Sequence, residues 1–144
     1  MSNPVVIPCP SCLARNRVAS DRLGDRPTCG RCKSALIGDH PAALDDGSFA
    51  RYVEGAGLPV VVDFWAGWCA PCRAMAPQFE AAARSSGGKA LFAKVDTEAA
   101  PQVAASYDIR SIPTMIAFRD GREVARQSGA MSEPQILHWV GQFA

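Results

Sequence analysis

The sequence predicts an α/β protein with a central mixed β-sheet flanked by helices, preceded by a small cysteine-rich module. Apolar runs at Val60–Trp65 and Ala90–Asp96 are separated by a stretch rich in helix formers, which is typical of parallel strands joined by a helical crossover. Two further strands are predicted at Thr114–Phe118 and Glu123–Gln127, because the Asp120-Gly121 step between them favours a hairpin. The chain has 144 residues, of which 48% are hydrophobic, enough for one ordinary domain and a small appendage.

The first part of the chain is marked by four cysteines: Cys9, Cys12, Cys29 and Cys32. They form two Cys-x-x-Cys pairs with 16 residues between the pairs, a spacing typical of a four-thiolate zinc site. Residues 1–48 contain no Phe, Trp or Tyr, so this segment has little with which to form its own core and needs a metal or disulfides to fold. We therefore predict a module of residues 1–36 that holds one structural Zn²⁺. A second dithiol–disulfide set and an iron site are the alternatives.

Residues 37–144 are predicted to form the main domain, which begins with a hinge containing Gly38 and Pro41 and a short strand at residues 42–44. His40 lies in this hinge, beyond a ligand set that is already complete, so we expect it to be solvated rather than bound to metal. A short helix over residues 47–53 leads into the first apolar strand.

Three helices are predicted after that strand. The first covers residues 69–84 and is expected to bend at Pro77. The second is predicted to begin with Thr97 as its cap and to run through Tyr107. The third begins at Ser132-Glu133-Pro134-Gln135, which matches a capping box. Its apolar face is predicted to contain Ile136, Leu137, Val140 and Phe143.

The remaining cysteines, Cys69 and Cys72, lie where the first apolar strand meets the first long helix. Unpaired backbone N–H groups and the positive end of the helix dipole favour a thiolate there, and the thiolate is the nucleophilic form. A Cys-x-x-Cys beside a βαβ pattern therefore predicts thiol–disulfide chemistry. Asp63 is the single acid in the preceding apolar run, so we expect its pKa to be raised by burial.

Three motifs in order resemble those of the thioredoxin family: Asp63-Phe64-Trp65-Ala66, Trp68-Cys69-Ala70-Pro71-Cys72 and Ile112-Pro113-Thr114. The Asp120-Gly121 hairpin and Gly129 fit the same pattern, and the resemblance runs from about residue 40 to the end of the chain. With its four-cysteine module, the chain is similar to the zinc-binding second class of bacterial thioredoxins. The resemblance implies a thioredoxin fold with a zinc-ribbon-like module. Ala70 stands where the family usually has Gly, which bears on the reduction potential but not on the chemistry.

The resemblance also implies roles for individual residues. Cys69 would be the exposed nucleophile, Cys72 the more buried resolving thiol, Asp63 the acceptor of the Cys72 proton, and Lys94 the lysine that tunes Asp63. Substrate would be bound by Trp68, Ala70, Pro71, Ile112, Pro113 and Gly129, with a cis peptide bond before Pro113. The alternatives are an Asp63 held by local hydrogen bonds, a Lys94 that is merely solvated, and a trans Pro113.

The expected function is that of a protein-disulfide reductase with a redox-active Cys69–Cys72 disulfide, recharged by thioredoxin reductase and contributing to redox homeostasis and the oxidative-stress response. The zinc thiolates could themselves be oxidised under stress and release the metal. The start of the chain, residues 1–8, lacks a basic n-region, and no stretch approaches 18 consecutive apolar residues, so we expect a cytoplasmic protein without a membrane partner. We also expect a monomer, because nothing in the sequence demands a larger assembly.

A second hypothesis is a binding module for nucleic acid or protein. Six Lys or Arg against two Asp give residues 1–36 a net charge of +4. The missing aromatic residues remove the usual platform for base stacking, so we expect no nucleic-acid partner.

Overall fold

The structure, a computed structural model, describes residues 3–38 and 40–144. Met1, Ser2 and Asp39, which belong to the predicted module and hinge, lie outside the described residues. The strands are β1 (Pro4–Pro8), β2 (Arg15–Ala19), β3 (Ala42–Leu44), β4 (Val60–Trp65), β5 (Leu91–Asp96), β6 (Thr114–Arg119) and β7 (Arg122–Ser128). The α-helices are α1 (Phe49–Gly55), α2 (Ala70–Ser85), α3 (Pro101–Ser106) and α4 (Glu133–Val140). Among these helices none is both long and apolar enough to cross a membrane.

The main sheet has the strand order β3-β5-β4-β6-β7, with β4 at its centre. Strand β4 runs parallel to β5 and antiparallel to β6, so the sheet is mixed, as predicted. Both faces of β4 are covered, because Val62 and Phe64 pack towards α1 and α3 while Val61 packs with residues of α2 and α4. This two-sided burial explains why the strand is apolar on both faces, with Asp63 as the single exception.

Two details of the predicted helices differ in the structure. Thr97 does not cap α3, because its hydroxyl donates a hydrogen bond to the Trp65 carbonyl at the end of β4 (3.1 Å). The N-terminus of α3 is capped instead from a distant part of the chain: the Asp46 carboxylate accepts a hydrogen bond from the Val103 N–H (2.9 Å). In α4 the capping box is present, but Trp139 belongs to its buried face, which the sequence analysis did not include.

The cysteine-rich module does not form a core separate from the main domain. Strands β1 and β2 pair antiparallel, and Ile7, Val18 and Leu36 belong to the same buried cluster as Tyr52 and other residues of the main domain. A segment without aromatic residues thus completes its core with aromatic residues supplied by α1.

Two glycines of the main domain allow the module to approach closely. The N–H of Gly57 donates a hydrogen bond to the Val6 carbonyl (2.7 Å), and a Cβ atom at Gly57 would lie 3.0 Å from the Val6 nitrogen. At Gly88, which has φ +83°, a Cβ atom would lie 2.9 Å from the Leu23 Cβ. Both contacts need glycine because a side chain would collide with the module.

Replacing Gly88 by alanine is therefore expected to destabilise the protein by about 2–3 kcal/mol, from the positive φ together with the collision with Leu23. Gly87 is a matched control, because it also has a positive φ (+64°) but a Cβ atom added there would meet no other atom within 4 Å. Gly87→Ala should cost only about 1 kcal/mol. Chemical denaturation of both variants measures the difference, and equal losses would contradict a close contact at Gly88.

Candidate functional site

The dithiol lies at the N-terminus of α2, where Cys69 is the N-cap residue and Cys72 belongs to the first turn. The two cysteines form a disulfide with a Cα–Cα distance of 5.2 Å. The Cys72 N–H donates a hydrogen bond to the Cys69 sulfur (3.2 Å). In the reduced protein, this N–H and the helix dipole would stabilise a negative charge on the Cys69 sulfur.

Both cysteines are buried, which was predicted for Cys72 but not for Cys69. Cys69 is 4% exposed and Cys72 is 2% exposed, so the predicted exposure of Cys69 is wrong for this disulfide-bonded state. The reason is tertiary packing, because Ala66, Trp65 and Ile112 form a small apolar cluster with the two cysteines. The Ile112 carbonyl oxygen lies 3.7 Å from the Cys69 sulfur.

The loop that carries this carbonyl is held against the end of the sheet. The Ile112–Pro113 peptide bond is cis, as the resemblance implies. The Gly129 N–H donates a hydrogen bond to the Pro113 carbonyl (2.9 Å), and the Thr114 hydroxyl donates to the Ser111 carbonyl (2.6 Å). The structure thus brings three of the predicted substrate residues, Ile112, Pro113 and Gly129, together beside the dithiol.

The other three predicted substrate residues flank the cysteines in the chain. Ala70 and Pro71 are exposed on the first turn of α2, and Trp68 is 68% exposed. Most of the Trp68 side chain is therefore available for contact with another molecule.

Two polar residues at the site were missed by the sequence analysis. The Trp68 indole N–H donates a hydrogen bond to Glu98, and Arg73 donates one to the Gly67 carbonyl (2.8 Å). A signal for Glu98 existed, because it follows β5 just as Trp68 follows β4, and the carboxyl ends of parallel neighbours meet at one sheet edge. Both contacts hold the segment before Cys69 in place.

Asp63 lies on β4 directly opposite Lys94 on β5. Only 4% of Asp63 is exposed, and its Oδ1 atom has no hydrogen-bond partner among residues 3–38 and 40–144. Burial raises the pKa of this carboxyl to about 7 from its ordinary value of 3.8, and the charge of Lys94 acts in the opposite direction. The structure thus contains a carboxyl group that can exchange a proton near neutral pH.

Because its pKa is raised, Asp63 should lower the free energy of unfolding at alkaline pH. Between about pH 4 and pH 7 the Asp63 carboxyl is protonated in the folded protein but ionised in the unfolded chain. The free energy of unfolding should therefore fall as pH rises through this window. The loss should approach about 4 kcal/mol above pH 7, at 1.36 kcal/mol per unit of pKa difference. Asp63→Asn removes the charge, so its unfolding free energy should exceed that of the wild type at pH 8 and match it at pH 4. Urea denaturation at several pH values measures this, and parallel profiles would contradict it.

The other four cysteines, Cys9, Cys12, Cys29 and Cys32, form a second cluster. None of them is in a disulfide, and their four sulfur atoms all lie within 4.8 Å of one another. The sulfurs of Cys9 and Cys32 are 3.5 Å apart, and those of Cys12 and Cys29 are 3.7 Å apart. The predicted ligand set is therefore brought together at one point.

This cluster fits a tetrahedral zinc ion. Four sulfurs at about 2.3 Å from Zn²⁺ lie about 3.8 Å from one another, close to the distances between the paired sulfurs here. Backbone N–H groups of Ser11 and Arg31 donate hydrogen bonds to the sulfurs of Cys9 and Cys29 (both 3.3 Å), which stabilises thiolates. With four protein ligands, the ion would have no open position for catalysis.

Family models of known proteins match both the main domain and the cysteine-rich module. A family model described as Thioredoxin matches residues 40–142. A zinc-ribbon family model described as Thioredoxin 2, N-terminal, matches residues 8–34.

Among the curated relatives, Thioredoxin C-3 of Corynebacterium nephridii is 41% identical over 138 residues, which cover 96% of this chain and 94% of the relative. Thioredoxin M-type, chloroplastic, of Chlamydomonas reinhardtii is 35% identical over 132 residues, which cover 90% of this chain and 94% of the relative. Thioredoxin C-2 of Corynebacterium nephridii is 42% identical over 97 residues, which cover 67% of this chain and 90% of the relative.

Proposed function

Because this chain belongs to the thioredoxin family and has its N-terminal zinc ribbon, we propose that it reduces disulfides of other proteins through Cys69 and Cys72. It is a thiol–disulfide oxidoreductase of the thioredoxin type. The observation that carries the proposal is the bonded cysteine pair at the N-terminus of α2, beside the cis Pro113 loop.

The reaction has two exchange steps. The Cys69 thiolate attacks one sulfur of a substrate disulfide, forms a mixed disulfide with it, and releases the other sulfur as a thiolate that takes a proton from water. Cys72 then loses its proton and attacks the Cys69 sulfur. The bond between Cys69 and the substrate breaks, the Cys69–Cys72 disulfide forms, and the second substrate sulfur leaves as a thiolate that is protonated. Two electrons pass from the protein to the substrate.

Asp63 is the group that accepts the Cys72 proton in this proposal. Its buried carboxyl has a pKa near the operating pH, which suits a general base, and it lines the same cleft as Cys72. Lys94, opposite Asp63 in the sheet, keeps the carboxylate form accessible by opposing the effect of burial on its pKa.

Substrate binds across the surface formed by Trp68, Ala70, Pro71, Ile112, Pro113 and Gly129. The exposed Trp68 ring offers apolar contact that does not depend on a particular sequence. An extended substrate segment can pair with backbone groups of the loop before Pro113, as an added strand would.

The rest of the proposal concerns the protein's setting. One structural zinc ion is held by Cys9, Cys12, Cys29 and Cys32, and its thiolates are the group through which oxidative stress could act on the protein. A thioredoxin reductase returns the disulfide to the dithiol. The protein works as a cytoplasmic monomer that contributes to redox homeostasis. The zinc site is supported by the clustered cysteines and the zinc-ribbon family model, and the electron donor is supported by membership of the thioredoxin family.

The test is the reduction of insulin disulfides by dithiothreitol, followed by the turbidity of the precipitating chain. Catalytic amounts of the protein should accelerate the reaction well above the rate with dithiothreitol alone. Replacing dithiothreitol by NADPH and a thioredoxin reductase tests the proposed electron donor. A rate no faster than the uncatalysed reaction would contradict the proposed function.

A further inference from the structure

A narrow cleft of about 100 Å³ leads to the buried carboxyl group of Asp63. The cleft is lined by the buried residues Asp63 and Cys72, by Trp65, by Glu80 of α2 and by Pro41. Pro41 precedes β3 and belongs to the segment that joins the cysteine-rich module to the main domain. Two residues of this segment, His40 and Pro41, are called the linker here.

Two polar side chains that line the cleft have an atom without a hydrogen-bond partner in the described part of the protein. Asp63 Oδ1 and Trp65 Nε1 are both buried without a hydrogen-bond partner within the described ranges 3–38 and 40–144. Both side chains line the cleft. A buried polar atom without a partner is costly, and a cavity of this size beside two such atoms has room for a few water molecules that would satisfy them. Access of water to this cleft would therefore change the environment of Asp63.

Buried residues flank the linker in the chain, and the linker itself contacts the main domain. Leu36 before it and Ala42 after it are buried in the shared core. Between them Pro41 is buried, and His40 Nδ1 lies 3.3 Å from Glu80 Oε1. Glu80 itself lines the cleft. The contact between His40 and Glu80, whose side chains are 78% and 37% exposed, thus joins the linker to α2 beside the cleft.

We propose that His40 and Pro41 are positioning residues for the proton transfer at Asp63. The linker covers one side of the cleft, is held there by the His40–Glu80 contact, and limits the entry of water to the carboxyl group. For its catalytic consequence the proposal rests on the proposed function, since a proton that Cys72 gives to Asp63 must leave through this cleft to solvent. The zinc-binding module, through its linker, would then influence the active site of the main domain.

The charged groups around the cleft come from three elements. Lys94 of β5 and the α2 residues Arg73 and Glu80 line it together with Asp63. His40 of the linker is paired with Glu80 and acts from outside it. Burial is the main cause of the raised pKa of Asp63, ahead of the charge of Lys94. Opening the linker should therefore act mainly by hydrating the carboxyl group.

The experiment follows the Asp63 carboxyl by ¹³C NMR during a pH titration of the disulfide-bonded protein, with Asp63→Asn used to assign the signal. Pro41→Gly removes the ring that covers the cleft, and His40→Ala releases the linker from α2. Both variants should lower the apparent pKa of Asp63, by about one unit for substantial hydration. His138→Ala, on the exposed side of α4, is the matched control and should leave the titration unchanged.

The direction of the shift separates this proposal from a purely electrostatic role of His40. Loss of a nearby cation would raise the pKa of a carboxyl group, whereas entry of water would lower it. A rise in His40→Ala would overturn the proposal, as would an unchanged titration in both variants. A fall in Pro41→Gly alone would contradict the part assigned to His40. Because the titration needs no substrate, it gives its answer even if the insulin assay contradicts the proposed function.

Discussion

Replacing Cys72 by serine is expected to turn the protein into a covalent trap for its substrates. Cys69 keeps its place at the N-terminus of α2 and still attacks the substrate disulfide, but no thiol remains in the adjacent turn to displace the substrate. Turnover should fall by at least about 10³-fold, because the residues of a catalytic unit act together. In the absence of an added thiol, a one-to-one adduct with the substrate should accumulate through Cys69.

The matched variant is Cys69→Ser, which keeps Cys72 but leaves the buried thiol to react alone. It should lose turnover to the same extent and form no adduct, since Cys72 is 2% exposed. Non-reducing electrophoresis with peptide mapping identifies the linked cysteine. An adduct through Cys72 in Cys69→Ser would reverse the proposed roles, and adducts through the four clustered cysteines would contradict their assignment to zinc.

Removing zinc with a chelator is expected to destabilise the whole protein. Metal binding contributes to folding, and here the module shares one buried cluster with α1 and the main sheet. We expect a loss of at least about 3 kcal/mol, which corresponds to a fall of about 6–12 °C in Tm for a protein of this size. Unfolding should stay a single transition, because the shared core couples the two parts.

The control for zinc removal is a variant that already lacks a ligand. Cys9→Ala should lower the Tm by a similar amount, and the chelator should have no further effect on it, because both changes remove the same interaction. Calorimetry with measurement of bound zinc distinguishes the outcomes. If the chelator left the Tm of the wild type unchanged, a structural zinc ion would be contradicted. Two separate transitions would contradict the coupling through the shared core.

Much of the fold could be predicted because its signals are local in the chain. The apolar runs, the Asp120-Gly121 turn and the capping box at Ser132 each depend on neighbouring residues, and all appear in the structure. The same holds for the cysteine clusters, whose spacing reflects turn geometry. The predicted boundary between residues 36 and 37 and the roles of the site residues stay predictions.

The failures concern contacts between distant residues. Thr97 has the right residue type for a cap, yet Asp46 caps α3 because tertiary packing brings its carboxylate to that helix end. Cys69 has the position of an exposed nucleophile, yet Ile112 and Trp65 pack around it. The local sequence around Thr97 or Cys69 does not indicate either contact, since both depend on how separate elements pack together.

By itself the sequence determined the class of chemistry, because thiolate reactivity and metal binding depend on residue type and short spacing. It also determined the order of strands and helices from β3 onward, which follows from local hydrophobic periodicity, whereas β1 and β2 were not predicted. Tertiary structure alone decided what surrounds those groups: the close contact of the module with the main domain at Gly57 and Gly88, and the narrow cleft beside Asp63. The physical reason is that burial and hydration are properties of packed surfaces, which form only when residues far apart in the chain come together.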